Sequence, residues 1–132
     1  MNLKLSLALC SLVAATALDI PGEAAADAER LLGSTRLTKI ENDTDVIRFK
    51  KCRRGINAVQ LRVERGQVEI EKLWVRYAKG GVEYLDVRDR IGQGHHSRWI
   101  DLNGGERCLK AVGVIGDTEL SRDQARVEVW GR

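Results

Sequence analysis

No stretch of this chain is both long enough and apolar enough to cross a bilayer as a helix. The longest apolar run, from Leu5 to Leu18, covers about 14 residues against the roughly 20 that such a helix needs, and Pro21-Gly22 would stop a helix that tried to continue. A retained membrane anchor or transmembrane segment is therefore not expected. Also missing is an excess of charge of one sign: 22 Lys and Arg stand against 19 Asp and Glu, for a net charge of +3. That is far from the charge density of a dedicated nucleic-acid binder, and no nucleic-acid partner is expected. There is no Gly-x-Ser-x-Gly elbow for a serine nucleophile and no His-Glu-x-x-His set on a helix, so a hydrolase of a familiar type is disfavoured. No internal repeat, long linker or low-complexity tract is found. What remains, in 132 residues that are 43% hydrophobic and 31% charged, is the composition of one soluble globular domain.

The N-terminus has the three parts of a secretory leader: Lys4 in a short positive segment, the apolar run, and small residues suited to a signal peptidase after it. Small residues stand at the two deciding positions before cleavage after Ala17, Ala26 or Ala28, and Ala26 or Ala28 is favoured. Residues 1–28 are thus expected to be a cleaved leader and residues 29–132 a single domain, periplasmic or secreted. Cys10 lies inside the apolar run behind Leu9, too bulky a neighbour for a lipid-modified cysteine, so it is expected to leave with the leader. Removal also discards Lys4, Asp19, Glu23 and Asp27, one base and three acids, which raises the net charge from +3 to +5. Two thiols then remain in an oxidising compartment, Cys52 and Cys108, and they should pair. The bridge closes a loop of about 56 positions, to which the chain-entropy model assigns roughly 4 kcal/mol. Two free buried thiols, or a zinc pair with few other ligands, are the alternatives.

Nearly every segment after Leu31 alternates with period two, β-branched and aromatic residues exchanging with Arg, Lys and Glu. Strands are expected at 31–39, 44–52, 56–64, 67–78, 82–88, 98–102, 107–115 and 125–130. Turn residues fall between them at Arg65-Gly66, Gly80-Gly81, Gly92-Gln93-Gly94 and Asn103-Gly104-Gly105, the short ones reading as tight hairpins. After Val68 and Ile70 the apolar set changes phase to Leu73, Val75 and Tyr77, so a β-bulge is expected near Glu71-Lys72. In 107–115 both alternating sets are mostly apolar, with Val112 and Val114 on one side and Leu109, Ala111 and Ile115 on the other, as in a central strand. One helical turn near 120–124 is the only helical candidate. The fold class is all-β: an antiparallel β-sandwich of about eight short strands with one disulfide, a flattened barrel being the near alternative.

Few residues suggest chemistry. His95-His96 draws the eye, but adjacent side chains in extended structure point to opposite faces, and a zinc site needs three or four convergent ligands. A polar loop explains the pair, and neither metal nor other cofactor is expected. Glu69 and Glu71 would lie about 7 Å apart on one strand face, within the range of a glycosidase's acid and base. Alternating Glu and Lys is also how a solvated strand face is written. The basic run Arg48, Lys50, Lys51, Arg53, Arg54 surrounds Cys52 and suits phosphate or sulfate on a polyanion or an anionic lipid headgroup. The plainer reading is that charge on an exposed strand discourages edge-to-edge pairing. Trp74, Trp99 and Trp130, with Tyr77 and Tyr84, offer faces for sugar rings, although packing is the commoner use. Trp74 is out of step with the apolar set of its strand, and Trp130 with Val127 and Val129, so these two are expected to face outward.

The order of features runs Leu31-Leu32-Gly33, then Cys52 with the 56–64 and 67–77 hairpin, then Arg98-Trp99-Ile100-Asp101-Leu102 leading to Arg107-Cys108. It closes on Ala125-Arg126-Val127-Glu128-Val129-Trp130-Gly131. This resembles a family of small exported bacterial proteins of uncharacterised function, typified by the periplasmic protein YaaI. The resemblance implies an exported, β-rich, bridged domain and supplies no catalytic residues. A non-enzymatic binding or interaction module of the bacterial envelope is the expectation, its partner an anionic glycan, a lipid headgroup or an envelope protein. The alternatives are an envelope enzyme or inhibitor acting on anionic glycans through Glu69, Glu71 or Asp101, and a structural envelope-stress protein without a small ligand.

Overall fold

The computed structural model describes residues 28–38, 43–118 and 124–132. The leader up to residue 27, and the expected helical turn apart from Gln124, lie outside the described residues. Eight strands follow in order: β1 (Arg30–Leu37), β2 (Asp43–Ile56), β3 (Ala58–Arg65), β4 (Val68–Tyr77), β5 (Val82–Ile91), β6 (Ile100–Asp101), β7 (Arg107–Asp117) and β8 (Ala125–Gly131). They form two four-stranded antiparallel sheets, one ordered β1-β8-β3-β6 and the other β2-β7-β4-β5. Among the described residues no helix is long and apolar enough to cross a membrane.

Period-two patterning decides which side of each strand is buried. In β4 Val68, Ile70, Leu73, Val75 and Tyr77 are buried while Glu69, Glu71 and Arg76 are exposed, and in β8 Ala125, Val127, Val129 and Gly131 are buried. The phase change falls where the sequence puts it, for the register of β4 shifts between Ile70 and Lys72 against both its neighbours. The core lies between the sheets and joins Leu61, Val63, Val127 and Val129 of one to Leu73, Val75, Val112 and Val114 of the other. Burial of these branched side chains is the main stabilising contribution. β7 is central, between β2 and β4, as its two apolar faces require.

Three expectations need correction. The Arg65-Gly66 turn does not make a hairpin: β3 and β4 lie in different sheets, and the chain crosses the end of the core there. Both strands have a buried face, and placing one in each sheet lets those faces oppose one another. Only the Gly80-Gly81 turn, where both glycines have positive φ, joins hydrogen-bonded neighbours, β4 and β5. Leu109 does not share a face with Ala111 and Ile115, because a register shift beside Arg76 and Tyr77 turns it into the core. Finally, β5 does not stop at Arg88. That residue takes φ 44°, and the resulting kink lets the strand run on to the buried Ile91.

His95 and His96 form no free loop. Gly94 N donates to Val63 O at 2.8 Å, Val63 N to His95 O at 3.0 Å and Ser97 N to Leu61 O at 2.8 Å, so the segment lies along β3 as an irregular extension of the sheet. His96 Nδ1 lies 3.0 Å from Gln60 Nε2 and 2.9 Å from Ser97 O. At the other end of the sandwich Arg107 holds two loops, donating to Asn103 O at 2.7 Å and to Lys79 O at 2.9 Å. Its guanidinium stands 3.5 Å from the Tyr77 ring centroid.

Candidate functional site

The basic run lies on β2, the edge strand of its sheet, opposite β1, the edge strand of the other. β2 pairs regularly with β7 from Asp43↔Gly116 to Arg48↔Ala111 and next meets it at Arg53↔Leu109. Five steps along β2 therefore face two along β7, and Phe49, Lys50, Lys51 and Cys52 arch out as a wide bulge. Cys52 is bonded to Cys108 of β7, with the two Cα atoms 5.3 Å apart, so the disulfide fastens the far end of the bulge to the central strand. The expected pairing is present.

β1 closes on this bulge because Gly33 has no side chain. A Cβ there would stand 2.7 Å from Ile47 Cγ2 and 3.6 Å from Phe49 Cε1, so any other residue would push the two edges apart. Two arginines fasten the junction. Arg53 Nη2 donates to Leu32 O at 3.3 Å while its guanidinium stands 5.3 Å from the Phe49 centroid. Arg30 Nη2 donates to the Arg54 carbonyl oxygen. Between the edges runs a groove of about 820 Å³. A second hollow of about 460 Å³ shares Arg30 and Arg54 with it and adds Glu106 and Arg132.

The structure therefore brings Lys50, Lys51, Arg53 and Arg54 together around Cys52, but in two roles. Arg53 is engaged with β1, whereas Arg48, Lys50, Lys51 and Arg54 are exposed, and among the described residues none of the four side chains meets a carboxylate. Two free cations on the arch and one at either side of it hold a positive potential that an anion would relieve.

Trp74 and Trp130 both face outward, as their phase predicts, but on opposite sheets and in different states. Trp130 is covered by the Arg62 guanidinium, 4.0 Å from its ring centroid, and its Nε1 donates to Glu128 at 2.9 Å. Arg62 is itself held by Gln60 Oε1 at 2.8 Å and by Glu29 at 2.7 Å. The Trp74 indole lies over Gly113 of β7, where a Cβ would fall inside the ring, and carries no such cover. The candidate carboxylates do not converge. Glu69 reaches Arg90 at 3.7 Å on the exposed face of β4, Glu71 sits exposed at the bulge, and Asp101 is on β6 in the other sheet.

Sequence reasoning missed Arg30 and Gly33, which shape the groove. A glycine within a strand pattern signals a close backbone approach, and that signal was present at Gly33. Nothing in the local sequence marks Arg30 as a clasp, since its partner lies 24 residues away.

The matched relatives carry no activity in their names. The chain is 25% identical over 111 residues to the UPF0412 protein YaaI of Salmonella newport (strain SL254), a match that spans 80% of this chain and 82% of the relative. The proteins of the same name from Salmonella agona (strain SL483) and Salmonella enteritidis PT4 (strain P125109) match to the same extent. No solved structure matches the chain. The model of the Domain of unknown function (DUF2541) matches residues 6–131, nearly the whole length, and the chain belongs to that family.

Proposed function

We infer that this chain is an exported, non-enzymatic binding module of the bacterial envelope, and that the groove between β1 and β2 takes anionic groups. One observation carries the reading: among the described residues Arg48, Lys50, Lys51 and Arg54 meet no carboxylate, and they stand on or beside an arch that Cys52–Cys108 fastens down. Protection of the edge does not account for it. A bulge by itself twists an edge strand away from pairing, and charged side chains are a separate way to the same end. Here both are present, together with a clasp by Arg30 and Arg53 that keeps the arch in place beside β1. Fixed cations with few alternatives to solvent favour phosphate, sulfate or carboxylate groups, whether on a glycan, a lipid headgroup or an envelope protein. The rival reading as a glycan-cleaving enzyme lacks an assembled acid and base, since Glu69 and Glu71 are exposed on β4 of one sheet and Asp101 lies on β6 of the other.

The test is elution from heparin resin under a salt gradient. The Lys50→Ala/Lys51→Ala/Arg54→Ala variant, which leaves the Arg53 clasp intact, should elute at clearly lower salt. Its log-affinity against log-salt slope should fall by about one unit for each cation removed. Elution at the wild-type salt concentration would remove the groove as the binding site.

A further inference from the structure

The chain has six aromatic side chains other than histidine, and four of them lie under an arginine. Arg53 stands over Phe49 at 5.3 Å, Arg62 over Trp130 at 4.0 Å, Arg107 over Tyr77 at 3.5 Å and Arg132 over Trp99 at 4.4 Å. The two without such a cover, Trp74 and Tyr84, are direct cross-strand partners on the outer face of the β2-β7-β4-β5 sheet. Continuing across that face at the same level come Gly113 of β7 and Val46 of β2. Because Gly113 has no side chain, the indole rests on the strand itself and forms a low shelf with the Tyr84 ring, which is 68% exposed. Among the described residues neither Trp74 Nε1–H nor the Tyr84 hydroxyl has a hydrogen-bond partner, whereas Trp130 Nε1 and the Tyr77 hydroxyl are both engaged.

Charged side chains border the shelf on both sides. One neighbouring row carries Arg48 and Arg76 with Ala111 and Val82, and the other carries Lys72 opposite Asp86. Arg48 also lines the groove, so one side chain borders both.

We propose that the shelf seats a pyranose ring of an anionic polysaccharide whose charged groups run on to Arg48 and the groove. This deepens the functional reading above and rests on it for the charged half of the ligand. A pyranose has an apolar C–H face that stacks on aromatic rings and a polar edge that hydrogen-bonds around them. That combination matches two uncovered rings with free N–H and O–H groups inside a charged border. Neighbouring strands are about 4.8 Å apart, so Trp74 and Tyr84 together span about one sugar ring. An acyl chain or an apolar protein surface would instead need a broad greasy patch, and here Arg76, Lys72 and Asp86 interrupt it two residues along the strands from the rings.

Calorimetric titration of the oxidised protein with oligogalacturonate, a carboxylated pyranose chain, and with inorganic polyphosphate, an anionic chain without a sugar ring, separates the two parts. Trp74→Ala and Tyr84→Ala should each weaken oligogalacturonate binding about tenfold and leave polyphosphate within about twofold, while Trp74→Phe keeps most of the affinity. Lys50→Ala/Lys51→Ala/Arg54→Ala should weaken both. Tyr84 is exposed enough that its truncation leaves folding intact, which near-ultraviolet circular dichroism will verify. Wild-type oligogalacturonate affinity in both shelf variants overturns the proposal. So does a wild-type protein that binds polyphosphate but not oligogalacturonate, an outcome that leaves the groove standing. Loss of sugar binding in the shelf variants, with polyphosphate unaffected by the groove substitutions, keeps the shelf and removes the groove. Binding to phosphatidylglycerol vesicles that needs Tyr84, without any sugar binding, reassigns the face to lipid.

Discussion

Tyr77 is buried at the end of β4, and its hydroxyl donates to Glu83, whose carboxylate also accepts from Asn103 N at 3.2 Å. Burial first, then the bond to Glu83 and the negative charge of Glu83, push its phenol well above the ordinary 10.0, with Arg107 pulling the other way. A phenol that holds its proton more tightly in the folded state stabilises the fold fully below the unfolded pKa of 10.0 and loses that contribution as pH rises beyond it. Melting temperature should therefore drop more steeply above about pH 10 in the wild type than in Tyr77→Phe. The variant itself should be less stable by about 1 kcal/mol at neutral pH, from the lost hydrogen bond. Parallel melting curves for the two proteins would show that Tyr77 titrates as it does in the unfolded chain. The outward direction of Trp74 and Trp130 was legible in the sequence, because it follows from phase along a single strand. The arginines that cover Trp130 and Trp99 were not. Arg62 meets Trp130, and Arg132 meets Trp99, through a register set by strands distant in the sequence.

At the scale of elements, the bulge and the disulfide act as one unit. β2 departs from β7 after Arg48 and returns at Arg53, and Cys52 is bonded to Cys108 just before that return. Without the bond the arch would rest on the return pairing of Arg53 with Leu109 and on the clasps, a part-buried bond from Arg53 to Leu32 O and an exposed one from Arg30 to the Arg54 carbonyl. The Cys52→Ser/Cys108→Ser variant should lose about 2–5 kcal/mol of stability, read from the urea midpoint. It should also lose several-fold affinity for heparin at a temperature where it remains folded, although every cation is still present. Unchanged affinity would mean that the bridge supports the fold but does not shape the groove. The bulge at Ile70 and Lys72 and the central place of β7 were readable from local pattern, and the pairing of Cys52 with Cys108 from the two cysteines that remain once the leader is removed. The sheet crossing at Arg65-Gly66 was not, because a short turn with a positive-φ glycine serves a hairpin and a crossing equally well. The choice depends on where β8 inserts, between β1 and β3.

For the whole molecule, the proposed export and the fold make a joint demand on the N-terminus. Among the described residues Glu29 is the first with a side-chain contact, its carboxylate 2.7 Å from Arg62, the same guanidinium that covers Trp130. Cleavage after Ala26 or Ala28 would retain that contact, and any later cut would remove it and begin to shorten β1 at Arg30. Removing residues 1–28 would also move the net charge from +3 to +5, which strengthens the attraction of the groove for anions over distances of about a Debye length. Intact-mass measurement of the protein recovered from the periplasm of an expressing bacterium should give a chain that begins at Asp27 or Glu29. It should also lack two hydrogens for the bridge and leave no thiol to alkylate. A recovered chain that still carries Met1 with Cys52 and Cys108 both alkylatable would place the protein in a reducing compartment. The groove would then lose the staple that fastens the arch among its four free cations, and the envelope role would fall with it.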